Sequence, residues 1–324
     1  MQNIFANLRL PVIAAPMFLI SGPRLVIEAS KAGIVGTFPA LNMRSSPTLD
    51  STLAQISAEL SPQNLPYGIN LIVHHTNPRL EVDLALVVKH KVPLVITSLG
   101  AVSDLVKEVH SYGGLVFHDI INRRHAEKAA EAGVDGLICV SAGAGGHAGT
   151  LNPMPFIADV KSFFQGKVLL SGCISTGRNI ASAMQMGADF AYMGTRFINT
   201  VESQADEAYK NMIIESGSSD IVYTAAVSGV PANFLRPSLE AMGITQELWE
   251  MKKAIDFGKE LLGDGKKGDS EQEAKAWKTI WSAGQGVSEI RDVLSVKDLV
   301  DRLEFEFKIA LQEQHERFKH YLTA

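Results

Sequence analysis

The segment Ser141-Ala142-Gly143-Ala144-Gly145-Gly146-His147-Ala148-Gly149-Thr150 sets one imidazole among closely spaced glycines, directly after the apolar run 136–140. Glycine lets a backbone come close to a flat ligand, and imidazole takes up and returns protons near neutral pH. Proton transfer beside a planar ligand is the chemistry such a pattern can do. Glycines also serve ordinary turns, and a loop histidine is more often merely solvated. The neighbouring segments have to decide between the two.

Those neighbours form a series of eight short apolar runs, at residues 11–16, 34–40, 67–73, 94–99, 115–120, 136–140, 168–171 and 190–193. Continuous Val, Ile, Leu and Ala character marks strands buried on both faces, as parallel strands under helices are. Amphipathic stretches lie between them, such as 50–60 with Leu53, Ile56 and Leu60, the Ala-rich 123–132, and 179–186. A strand followed by a helix, repeated eight times, predicts an α/β fold of the TIM (β/α)8 barrel type. A doubly wound sheet is the fallback, disfavoured because Ala14-Ala15-Pro16-Met17 stands where a Gly-x-Gly-x-x-Gly turn belongs.

In a barrel the chemistry gathers at the C-terminal strand ends. Here those ends carry Pro16-Met17-Phe18, Gly68-Ile69-Asn70, His118-Asp119, the glycine-rich run with His147, Ser171-Gly172-Cys173 and Met193-Gly194-Thr195. Loops after the seventh and eighth strands hold phosphate in many barrels, because their N–H groups and a short helix N-terminus point at it. Gly172, Gly194 and Thr195 fit that role. With the Asn70 amide and the ledge on strand six, they predict a flat phosphorylated cofactor across the barrel mouth, and FMN is the natural candidate. Asn70 meets its polar edge or serves as a local cap. Asp119 bonds the ligand or makes a structural contact. His118 is a second candidate base, whereas His125 reads as a solvated helix-start residue.

The segments Ala15-Pro16-Met17, Gly68-Ile69-Asn70-Leu71, Ala144-Gly145-Gly146-His147-Ala148-Gly149, Leu170-Ser171-Gly172 and Tyr192-Met193-Gly194-Thr195-Arg196-Phe197 resemble those of the nitronate monooxygenase family, formerly 2-nitropropane dioxygenases. The likeness spans the barrel and extends to Trp281-Ser282-Ala283-Gly284-Gln285-Gly286-Val287. It implies an FMN-dependent oxidoreductase that converts alkyl nitronates, with O2, to carbonyl compounds and nitrite. By the resemblance, Pro16, Met17 and Phe18 back the flavin ring, Asn70 binds its edge, and Gly145 and Gly146 run along it. Gly172, Gly194 and Thr195 hold the phosphate, Gln285 reaches the cofactor, and His147 matches the catalytic histidine. Asp119 departs from the lysine that relatives often carry there, which bears on the flavin's electrostatic setting.

Composition narrows the partners. The 324 residues carry a formal charge of −5 and no Lys/Arg cluster with interleaved aromatics, so nucleic acid is not expected. No apolar run reaches the length of about 18 residues that a membrane span needs. Cys139 and Cys173 lie in apolar runs as buried thiols, and the stretch 10–20 is broken by Pro11 and Pro16, so a cytoplasmic location is expected. His74 and His75 are adjacent and point apart on an extended chain, and no metal site is expected. The expected partners are a nitronate, O2 and, as one option, a second copy in a homodimer.

Residues 1–215 read as the barrel, 216–280 as a mostly helical extension after strand eight, and 281–324 as a closing segment with a C-terminal helix. The extension holds Trp249, Phe257 and Trp277 around a polar loop at 263–268, and is expected to lie over the mouth as a partial lid. Two other functions share these features. One is an NAD(P)H-dependent FMN reductase acting on quinones or an enoyl thioester, and the other is a flavin-binding barrel without catalysis.

Overall fold

The computed structural model describes residues 4–322 apart from 64, 75, 101–102, 228 and 250–279. Strands β1 (Val12–Ala14), β2 (Val35–Pro39), β3 (Tyr67–Ile72), β4 (Leu94–Ser98), β5 (Leu115–Ile120) and β6 (Gly136–Val140) follow one another in parallel register. A two-residue strand β7 (Gly146–His147) leaves the barrel, and β8 (Lys167–Ser171) and β9 (Phe190–Met193) complete it. Pairing of Ile13 with Tyr192 closes the ring. Each run read as a strand from the sequence is a barrel strand, its ends displaced by no more than two residues.

Helices α1 (Pro23–Lys31), α2 (Ser46–Leu60), α3 (Leu80–Lys89), α4 (Ser103–Ser111), α5 (Arg123–Glu131), α6 (Pro153–Lys161), α7 (Gly177–Gln185) and the short α8 (Thr195–Ile198) follow the barrel strands. Their starts are set by local chemistry. Asn122 accepts a hydrogen bond from the His125 N–H at 2.9 Å, and Thr176 and Asn179 cap α7 reciprocally. Side chains alternate between two cores, as the period of two along a strand requires. Ile13, Val35, Leu94, Ile96, Phe117, Ile138, Leu169 and Phe190 fill the barrel, while Val95, Val116, Leu137, Val168 and Leu170 face the helices. Phe5 plugs the bottom, its ring centroid 4.8 Å from Phe190 and 5.9 Å from Phe117. The open end is therefore the C-terminal one.

After α8 come α9 (Glu207–Glu215), β10 (Ile221–Thr224), β11 (Ala232–Leu235), α10 (Arg236–Ala241) and the long α11 (Val296–Leu322). The described part of the extension thus contains a hairpin besides its helices. Strand β11 pairs antiparallel with β10 on one side and with β7 on the other, making a three-stranded sheet beside the mouth. Phe257, Trp277 and the polar loop at 263–268 lie outside the described residues. Helix α11 packs along α7 and α1, and the Glu306 carboxylate accepts a hydrogen bond from the Gly177 N–H at 2.7 Å. No described helix is long and apolar enough to cross a membrane.

Candidate active site

A cavity of about 850 Å3 occupies the C-terminal mouth of the barrel. Strand parity delivers three polar side chains to it. Asn70, Ser98 and Asp119 occupy the inward positions of the adjacent strands β3, β4 and β5, alternating with the outward Leu71, Thr97 and Ile120. Asn70 donates both amide hydrogens within the protein, to the Ile96 carbonyl at 3.2 Å and to Ser98 Oγ at 2.8 Å. What it offers a ligand is its carbonyl oxygen, an acceptor. Ser98 in turn donates to Asp119 Oδ2 at 2.6 Å. Asp119 Oδ1 is buried and has no hydrogen-bond partner among the described residues. Burial raises the carboxyl to about 6, against which the Ser98 hydrogen bond works.

His147 reaches the cavity on a strand outside the barrel. It pairs with Ala232 of β11, and the Asn233 amide donates to the Ala144 carbonyl at 2.7 Å, so the hairpin braces the glycine-rich loop. Desolvation lowers the imidazole to about 4, leaving it neutral at pH 7. The two glycines before it do different work. Gly146 has φ +69, which a side chain would strain, and a Cβ there would meet nothing within 4 Å, so that position opens on the cavity. Gly145 is pressed against the late segment instead, where a Cβ would lie 2.9 Å from the Gly284 nitrogen.

Across the mouth, Gly172, Gly194 and Thr195 line the end predicted to take phosphate. Thr195 Oγ1 accepts from the Gly284 N–H at 2.9 Å and keeps its own hydrogen to donate. Pro16, Met17 and Phe18 line the cavity from the turn after β1. Gln285 does not line it. Its N–H donates to the Gly143 carbonyl at 2.9 Å, and its side chain is exposed, with Oε1 3.9 Å from Cys173 Sγ. The flanking Gly284 and Gly286 line the cavity in its place, with Trp281, whose ring stacks on Tyr209 at 5.0 Å.

His118 and His125 both line the cavity, in different settings. His118 has outward parity and is buried, with Nδ1 2.7 Å from Thr97 Oγ1, and burial lowers it to about 4. His125 is exposed at the start of α5, as its sequence suggests, yet it also lines the cavity, as does Lys128 one turn on. Sequence reading missed Ser98, Tyr192 and Lys128 as lining residues. Ser98 was within reach, since it ends a barrel strand; Lys128 looks like any charge on a solvated helix.

Fold and site together define a (β/α)8-barrel protein with a small-molecule cavity at its C-terminal mouth and an imidazole, a carboxyl and an amide facing it. Residues 77–306 match the nitronate monooxygenase family, and the chain belongs to that family. It is 28% identical over 259 residues to the (3aS,4S,5R,7aS)-5-hydroxy-7a-methyl-1-oxo-octahydro-1H-indene-4-carboxyl-CoA dehydrogenase of Mycobacterium tuberculosis, covering 79% of this chain and 70% of the relative. It is 26% identical to a nitronate monooxygenase of Paraburkholderia phytofirmans, covering 94% and 93%. The nitroalkane oxidase structure from Streptomyces ansochromogenes superposes with a TM-score of 0.80 at 21% identity, covering 95% of this chain and 98% of that one, a likeness of fold.

Proposed function

We propose that this chain is an FMN-dependent monooxygenase that oxidises alkyl nitronates with O2 to carbonyl compounds and nitrite. The observation that carries this reading is His147, a neutral imidazole held by the added sheet and lining the cavity. The residues present suit a flat, phosphorylated, polar-edged group. Asp119 Oδ1 is a buried polar atom that awaits a partner, and the Gly146 position is open where a Cβ would otherwise stand. Asn70 and Asp119 would hold the polar edge of FMN, Met17 and Phe18 would back its ring, and Gly172, Gly194 and Thr195 would take its phosphate. Bound there, FMN would supply the redox chemistry between nitronate and O2, which no side chain of the site can supply.

The protein's own part is proton handling and placement. A neutral imidazole accepts the proton α to a nitro group, and the resulting imidazolium offsets the charge of the nitronate it leaves. The apolar walls around Met17 and Phe18 exclude water and strengthen that pairing.

A second reading, an FMN reductase using NAD(P)H on a quinone or an enoyl thioester, is favoured by the likeness to a carboxyl-CoA dehydrogenase. One preparation separates them. The purified protein should release FMN on denaturation and consume O2 with a nitronate, forming nitrite in steady state. Turnover of NADH with a quinone or enoyl thioester, with no nitrite from nitronates, would replace the first reading with the second. A protein that binds no FMN would end both.

A further inference from the structure

Helix α5 carries four basic side chains near its start, and they are treated unequally. Arg123 is neutralised, with Nε 2.7 Å from Glu127, a second ion pair to Asp159 and its guanidinium over the Phe163 ring. Arg124, His125 and Lys128 make no ion pair among the described residues, and His125 and Lys128 line the cavity. Burial, and then the charges of Lys128 and Arg124, push the His125 imidazole down, with no carboxylate working against them. Of the carboxylates that line the cavity, Asp206 stands at the start of α9, and Asp119, on β5 itself, is buried with one oxygen taken up by the Ser98 hydroxyl and makes no ion pair with these side chains. On the same side as the cations, Leu99 and Ile121 follow β4 and β5 with 37% and 39% of their surface exposed.

A lysine and an arginine without ion-pair partners among the described residues, with a neutral imidazole able to donate an N–H, next to open apolar side chains suit an amphipathic anion, whose stem covers the apolar surface while its charge meets these donors. We propose that this side of the cavity, between the ends of β4 and β5 and the first two turns of α5, is a subsite for an anionic group on an apolar stem. The group is a carboxylate or a phosphate ester at the far end of the substrate from the reacting carbon. The inference rests on the cavity being the substrate site.

Calorimetric titration of the purified protein, with FMN added, tests it without turnover, so its outcome is independent of which reaction the protein catalyses. Octanoate and octanol share a stem and differ in charge. Octanoate should bind about tenfold more tightly, as the partly exposed Lys128, helped by the nearby Arg124 charge and a His125 N–H, would give. Lys128→Glu should abolish that preference and leave octanol binding unchanged, and His125→Gln should reduce it. Both residues are exposed, and circular dichroism verifies the fold. Coenzyme A as a third probe identifies the source of the anion. Tighter binding than octanoate assigns a phosphate ester, weaker binding a carboxylate, and either upholds the subsite. Equal binding of octanoate and octanol, or a preference unaltered in Lys128→Glu, would overturn it.

Discussion

His147 is neutral at pH 7 because desolvation holds it near 4, and a neutral imidazole facing a ligand is a proton acceptor. His147→Ala should therefore keep the fold and most FMN binding but lose activity on neutral nitroalkanes by about 10²- to 10⁴-fold, with a smaller loss on preformed nitronates. Steady-state kcat/KM on both substrate forms measures the difference. Equal, small losses would remove His147 as the base. Asp119 makes a separate prediction through linkage. Its folded value near 6 exceeds its ordinary 3.8, so the folded state holds the proton more tightly and loses stability as pH rises between those values. Asp119→Asn should stabilise the apoprotein above pH 6 by at most about 3 kcal/mol and have little effect below pH 4. The lowered values of His118 and His147 act in the opposite direction. Their penalty appears as pH falls below 6.5 and is complete below about 4. Urea unfolding of wild type and variant across pH 4–8 would read both.

At the scale of elements, the proposed phosphate end of the site rests on the turn after β9. A Cβ on Gly194 would meet the Ala15 Cβ and Met17 Sδ at 3.7 Å and Met17 Cγ at 3.8 Å, which is ordinary contact. Gly194→Val should therefore fold and still weaken FMN about tenfold or more, since the added groups occupy the space in front of the turn. Quenching of FMN fluorescence on titration measures it, and unchanged affinity would place the phosphate elsewhere. The hairpin β10–β11 has a complementary task. It converts the end of a glycine-rich loop into the edge strand β7, so that His147 is fixed by a ladder instead of by loop contacts.

At the scale of the molecule, α11 returns from the C-terminus to seal the barrel. It covers α7, and Arg9 from the N-terminal segment forms an ion pair with Asp301 at 2.8 Å. The α7–α11 contact is so close at Gly177 that a Cβ would lie 2.3 Å from the Leu303 oxygen and 2.3 Å from the Phe307 nitrogen. Backbone atoms cannot yield as a flexible side chain can. Gly177→Ala should cost about 3 kcal/mol, at the upper end for overpacking, and lower the unfolding midpoint without touching the cavity. A midpoint within 1 °C of wild type, in a scan of about 0.1 °C precision, would show that α11 moves aside.

The barrel was legible in the sequence because its cause is local. Strands buried on both faces must be apolar along their length, so residues 115–120, 136–140 and 190–193 announce themselves, and the barrel rule then locates Asn70, Asp119, His147, Gly172 and Thr195 at one end. The hairpin was not legible, since Ile221–Thr224 is too short to show a period, its partner β11 begins eight residues later, and the other partner of β11 is a two-residue segment more than eighty residues earlier. Nor could residue types foretell that Ser98 would link Asn70 to Asp119, that Gln285 would stand beside the cavity instead of lining it, or that Lys128 would line it with no ion pair among the described residues. Those outcomes depend on which side chains meet across strands and loops distant in the chain. The shifted proton affinities of His147 and Asp119 depend on the same thing, because the sequence supplies the titrating group and only the packed structure removes the water around it.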